Sequence, residues 1–133
     1  MANLLYPKGK QNFISGNINL VSGTIKVALI DTGTYTYSAL HDAYDDLSGV
    51  VGTPSEILTK TVTDGIFDGA DTVFSSITGV SAEALVIYLD SGTPSTSYLI
   101  AYLDTVSGGL PVTPNGGDIT IQWDSGASKI FAL

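Results

Sequence analysis

Two short stretches carry the residue types of acid–base hydrolysis. Residues 27–34 read VALIDTGT and residues 86–93 read VIYLDSGT, each an apolar run that ends in Asp, a hydroxyl residue and Gly. Two aspartates held close enough to share one proton activate a water molecule for peptide-bond cleavage. Asp31 and Asp90 are the residues that would form such a dyad. Each would have to sit in a tight loop at the end of a strand, with Thr or Ser and Gly completing the turn.

These loops resemble those of aspartic proteases, whose two-lobed form supplies one aspartate from each lobe. Asp31 and Asp90 lie only 59 residues apart in a chain of 133, too short for two lobes. A homodimeric protease of retroviral type, pairing Asp31 with its symmetry mate, is the remote alternative. The late segments LIAYLDTVSGG and ITIQWDSGA lack the Gly and the following helix that support the catalytic loop in that family. The pattern also recurs as AYLDTVSGG at 101–109 and QWDSGA at 122–127. Four occurrences argue for turn chemistry. An Asp at a strand end accepts hydrogen bonds from backbone N–H groups two residues on, Ser and Thr do so more weakly, and Gly takes the positive φ. The expectation is a chain with no catalytic residue, and not an enzyme.

Other constellations are incomplete. His41 is the only histidine and there is no Cys, so a zinc site would have at most one nitrogen ligand and no thiolate. A Ser-His-Asp triad would have to use His41, and no Gly-x-Ser-x-Gly elbow exists. Asp42, Asp45 and Asp46, or Asp64, Asp68 and Asp71, offer carboxylates for calcium, but DGIFDGAD lacks the alternating spacing of a calcium-binding loop. They read as solvated acidic turns, and no metal or cofactor is expected. The tyrosines of TYTY, VIYL and SYLIAY could make a sugar-stacking face, and read better as rim and core residues on strands. Trp123 alternates with Ile121 and Ile119, which places it on an apolar side.

Five Lys, no Arg and thirteen acidic residues give a net charge of −8. Nucleic-acid binding needs a basic footprint that releases counterions from phosphates, so nucleic acid is excluded as a partner class. Only 14% of residues are charged while 44% are hydrophobic, a poor solvating surface for a freestanding domain. Part of the surface is therefore expected to be covered, by copies of the chain in a dimer or trimer or by another protein. No run reaches the roughly 18 apolar residues of a membrane helix. MANLLYPKGK lacks the apolar core and cleavage pattern of a signal peptide, so synthesis in the cytoplasm is expected and no membrane partner.

The elements that must position these residues are mostly strands. YPKGKQNFISG, with Pro7 at a first helical position and Gly16 as a stop, predicts a short N-terminal helix. In TIKVALID, Ile25, Val27 and Leu29 alternate with Lys26 and Ala28, which predicts a strand with one buried face. Leu40, His41, Tyr44 and Leu47 follow Ser38 at three-to-four spacing, predicting a second short helix over 38–49. EILTKTVTDG, DTVFSSI, AEALVIYLD, TSYLIAYLD, DITIQWD and SKIFAL then predict strands separated by Gly, Pro, Asn and Asp turns. The class is mainly β, an antiparallel β-sandwich, jelly-roll-like or barrel-like, in a single domain spanning 1–133 with residues 1–20 as an N-terminal arm and short helix. DTVSGGLPVTPNGGD, 104–118, is the most turn-rich connection.

With these elements in place, the chain resembles over nearly its full length a family of small structural proteins of tailed bacteriophages. The resemblance is carried by MANLLYPKGKQNFISGNI, TIKVALIDTGTYTYSALHD, TKTVTDGIFDGADTVFSSITG, AEALVIYLDSGT and GLPVTPNGGDITIQWDSGASKIFAL. The stretch DLSGVVGTPSEIL departs from it and is expected to be a variable loop. The resemblance implies a virion component present in many copies. The expected role is a capsid decoration or cement protein that bridges major capsid protein subunits; the alternative is a tail, neck or baseplate component. For the contacts, an apolar and loosely anchored arm nominates Leu4, Leu5, Tyr6 and Phe13. The loop at 111–117 nominates Pro111, Pro114 and Asn115.

Overall fold

The run ALVIYL is apolar at every position, and such a strand must be covered on both faces. In the computed structural model, which describes residues 3–127 and 129–133, this run is strand β7 (Ala84–Leu89) at the centre of a five-stranded sheet. Its companions are β1 (Leu4–Leu5), β2 (Ile25–Ile30), β3 (Val50–Glu56) and β8 (Leu99–Leu103), in the order β1-β8-β7-β2-β3. Strands β4 (Thr61–Thr63), β5 (Ile66–Asp68) and β10 (Phe131–Ala132) form a second sheet in the order β10-β5-β4, and β6 (Thr72–Phe74) pairs with β9 (Ile119–Ile121). All these pairs are antiparallel. The protein is mainly β, with one short α-helix, α1 (Pro7–Ile14), near its start.

The layers follow from the side chains. On the inner face of the large sheet, Ile25, Val27, Leu29, Leu85 and Ile87 meet Phe67, Phe74, Ile121 and Phe131 from the smaller sheets, a sandwich-like core. Each large apolar side chain fully buried there contributes about 1.5–3 kcal/mol. The outer face is covered as well. Ala28, Ile30, Val86, Tyr88, Leu99 and Tyr102 lie under Tyr6, Tyr35, Tyr37 and Tyr44. The expectation of a β2 with one buried face is thus corrected: Ala28 and Ile30 are as buried as Val27 and Leu29, because a tyrosine-bearing segment folds over them.

A bulge in β8 anchors the N-terminus. Tyr88 pairs with Leu99 and Ile87 with Ala101, so Ile100 has no opposite residue, and its carbonyl accepts the Tyr6 N–H at 2.9 Å. Helix α1 then lands on the bulge through Gly9, where an added Cβ would lie 2.5 Å from the Leu99 carbonyl oxygen. Eight residues make a marginal helix alone, so this docking is what holds it. The arm is therefore not loosely anchored: Tyr6 is wholly buried, and Phe13 packs against Phe131 with ring centres 6.4 Å apart.

Two further expectations change. The second helix over 38–49 is absent; only a single 3-10 turn, Tyr44–Asp46, forms. Ala43 bridges Tyr98, and the Tyr44 ring packs at a tilt against that of Tyr88 with centres 4.8 Å apart, contacts that an α-helix through 40–47 could not make together. Leu40, which its helical spacing would have buried, is largely exposed. The expected variable loop DLSGVVGTPSEIL instead supplies β3. Val27 pairs with Ser55 and Leu29 with Val51, so residues 52–54 bow out opposite Ala28, and Pro54 needs no ladder N–H there. Between β4 and β5, Asp64 and Gly65 both take positive φ, the two-residue turn that suits a hairpin's twist.

Candidate functional site

The two aspartates sit at opposite ends of one strand pair. Ile30 faces Ala84 and Ile25 faces Leu89, so Asp31 follows one end of β2 and Asp90 the far end of β7. Six residues of strand, at about 3.4 Å each, keep the carboxylates roughly 20 Å apart. Within one chain they cannot share a proton. Asp31 accepts the Gly33 N–H and the Thr34 hydroxyl, both at 2.9 Å, and its own N–H donates to the Gly49 carbonyl. Asp90 accepts the Gly92 N–H at 2.9 Å and pairs with the Lys26 ammonium at 2.7 Å. The Lys26 contact, aided by the Gly92 N–H, holds the Asp90 carboxyl below the usual carboxylate range. Asp124 repeats the device with Gly126 at 3.1 Å. Asp104 closes its turn differently, its N–H donating to the Asn3 side chain at 2.8 Å.

Each carboxylate thus organises a turn at the end of a strand. Asp31→Ala removes two acceptor contacts from a surface turn and is expected to lower stability by about 1 kcal/mol. Urea unfolding measures it, and an unchanged midpoint would show that the turn needs no side-chain support.

His41 lies in the covering segment, half-buried. Its Nδ1 is 2.7 Å from the Tyr35 hydroxyl, which in turn lies 2.8 Å from the Tyr6 hydroxyl. Six of the seven tyrosines gather on this outer face. Burial pushes the phenols of Tyr6, Tyr35, Tyr44, Tyr88 and Tyr102 above their ordinary value of 10. A phenol raised in the folded state stabilises it fully below the unfolded pKa, and that stability is lost as pH rises further. Alkaline titration is expected to show tyrosinate absorbance growing in one cooperative step above pH 10, together with loss of β circular dichroism. Gradual ionisation with the fold intact would contradict this burial.

Asp42, Asp45 and Asp46 place carboxylate oxygens within 4.8 Å of one another, whereas Asp64, Asp68 and Asp71 form no such group. Asp46 accepts the Asp42 N–H at 2.8 Å, a bond that holds its carboxyl down, while partial burial raises that of Asp42. The arrangement caps the 3-10 turn.

Of the nominated contact residues, Leu4 is exposed, Leu5 and Phe13 are half-buried, and Tyr6 belongs to the chain's own core and is closed to any partner. The loop at 111–117 is fastened to 76–82. Val112 and Ala82 exchange backbone bonds of 2.9 and 3.0 Å, Gly116 donates to the Ile77 carbonyl, and Asp118 accepts the Ser76 N–H. Pro111, which follows a cis peptide bond, and Asn115 remain exposed, while Pro114 is half-buried.

A groove of about 490 Å³ lies between β1 and β10. Leu103, Trp123, Ile130 and Phe131 supply its apolar part, and Thr105 and Val106 also line it. It takes Leu4 and Leu5 from the nominated residues and none of Pro111, Pro114 or Asn115. Sequence reasoning placed Trp123 on an apolar side, where it is buried with its indole N–H bonded to the Ala70 carbonyl at 3.0 Å, but did not find the groove. Compared with models of known protein families and with curated proteins, the chain matches none.

Proposed function

We propose that the chain is a non-enzymatic structural protein of a tailed-bacteriophage virion, a capsid decoration protein that bridges and stabilises major capsid protein subunits. The observation that carries the reading is an apolar surface on a sparsely charged chain. Ile14, Val21, Leu40, Leu58, Val80 and Leu133 are each more than half exposed, while 14% of all residues carry charge. Repeated contacts with neighbouring subunits would cover such side chains, and many weak contacts on one lattice add up through multivalency. The sequence resemblance to tailed-phage structural proteins supports the same reading. Self-association into a dimer or trimer belongs to this proposal, as does a place on the capsid surface.

The test mixes purified protein with expanded capsids that lack it, followed by pelleting and electron cryo-microscopy. Extra density at regular lattice positions is the expected result. Protein that stays in the supernatant, or binds only the tails of complete virions, would overturn the capsid assignment. An Asp31-dependent peptide cleavage blocked by a pepstatin-like inhibitor would instead revive the dimeric protease.

A further inference from the structure

We propose that the groove between β1 and β10 is a slot for one extended strand, supplied by another polypeptide whose side chains alternate between apolar and uncharged or basic. Both walls are sheet edges. β1 ends the five-stranded sheet and β10 ends the β10-β5-β4 sheet, so among the described residues each has one side without a strand partner. An antiparallel ladder points the backbone groups of successive residues to opposite sides. Tyr6 donates to Ile100 on the β8 side, so Leu5, one residue earlier, turns its N–H and C=O toward the groove. Leu133 donates to Gly65 on the β5 side, so Ala132 turns its N–H and C=O toward the groove from the other wall. Leu5 and Ala132 both line it.

Unpaired strand edges facing a groove with an apolar floor fit an extended backbone. Ladder hydrogen bonds supply affinity, and side chains on one face of the incoming strand meet Leu103, Trp123 and Ile130. The occupant is a foreign segment rather than a second copy for two reasons. A copy's edge strand arrives attached to its own sheet and layer, which a slot walled on two sides does not admit. Two copies also bring −8 each to the contact, whereas Asp124 and Lys129 at the rim are balanced and leave an uncharged or basic strand unopposed.

Trp123 is the only tryptophan, so its emission reports occupancy. The probe is a synthetic peptide of about eight residues, strand length, alternating valine and threonine with a lysine at each end. Titration into the intact protein is expected to shift Trp123 emission saturably and to slow amide exchange at Leu5 and Ala132 about tenfold or more. The same peptide with two threonines replaced by proline is expected to bind at least about tenfold more weakly, since proline removes ladder donors. The exposed lining residue Thr105 provides the protein-side control: Thr105→Lys is expected to weaken binding about tenfold with the melting temperature retained, a loss near 1.4 kcal/mol. No saturable shift, equal binding of the proline peptide, or protection confined to the exposed edge Thr61–Thr63 would overturn the slot. So would protection of Leu5 that appears without peptide as a dimer forms. Wild type and Thr105→Lys are also pelleted with expanded capsids. Peptide binding without capsid attachment sinks the decoration reading alone, and capsid attachment with no peptide binding sinks the slot alone.

Discussion

Tyr6→Ala is expected to destabilise the protein by about 3–5 kcal/mol, the range for removing a fully buried aromatic ring. The ring lies in the outer-face cluster, 5.0 Å from that of Tyr37, and its hydroxyl bonds Tyr35. Its loss opens a cavity directly over β8 and leaves the Tyr35 hydroxyl with His41 as its remaining partner. Since whole domains are stable by only about 5–15 kcal/mol, the variant sits close to unfolding at room temperature. Tyr6→Phe, which keeps the ring and deletes one hydrogen bond, is expected to cost about 1 kcal/mol. Urea unfolding of the pair separates packing from hydrogen bonding. A Tyr6→Ala midpoint near the wild type would mean that the N-terminal segment is dispensable to the core.

Gly9→Ala is a test of sign. Helix propensity alone predicts a gain of about 1 kcal/mol, because glycine is the poorest non-proline residue inside a helix. The packing predicts the reverse. A Cβ on Gly9 would lie 2.5 Å from the Leu99 carbonyl oxygen and 3.1 Å from that of Ile100, and both are backbone atoms held in a ladder. Relief requires the helix to lift off the bulge, at a cost of about 1–3 kcal/mol or more for overpacking. Thermal unfolding decides between the two, and a variant that melts higher than wild type would show that α1 does not rest on β8.

The parts of the fold that the sequence revealed are those governed by local chemistry. Continuous apolar runs marked β7 and β8, Pro7 and Gly16 bracketed α1, and Asp-x-Gly marked the turns after β2 and β7. The helix expected over 38–49 failed because a three-to-four spacing of Leu40, Tyr44 and Leu47 reads equally as an irregular segment whose aromatics reach a sheet. Only the sheet's need for an outer cover decided between them. A signal was present: VALI in β2 is apolar without alternation, which requires two covered faces. β3 was hidden by Gly52 and Pro54, which mimic a loop and occupy a bulge. The groove had no local signature at all. Its walls come from β1 and β10, near opposite ends of the chain, and become neighbours only through their separate pairings with β8 and β5.

Those pairings also set a timetable. Leu4 joins Tyr102 and Phe131 joins Phe67, so both terminal strands close over long stretches of chain. Folds dominated by such distant pairings form slowly, in milliseconds to seconds, because loop entropy is lost before contacts compensate for it. During synthesis at about 5–20 residues per second, β1 waits roughly 5–20 s for β8 to emerge. Until then Tyr6 has neither the Ile100 carbonyl nor the β8 surface to bury against. Of these strands β10 emerges last, and the groove takes shape only after Phe131 and Ala132 have paired with β5.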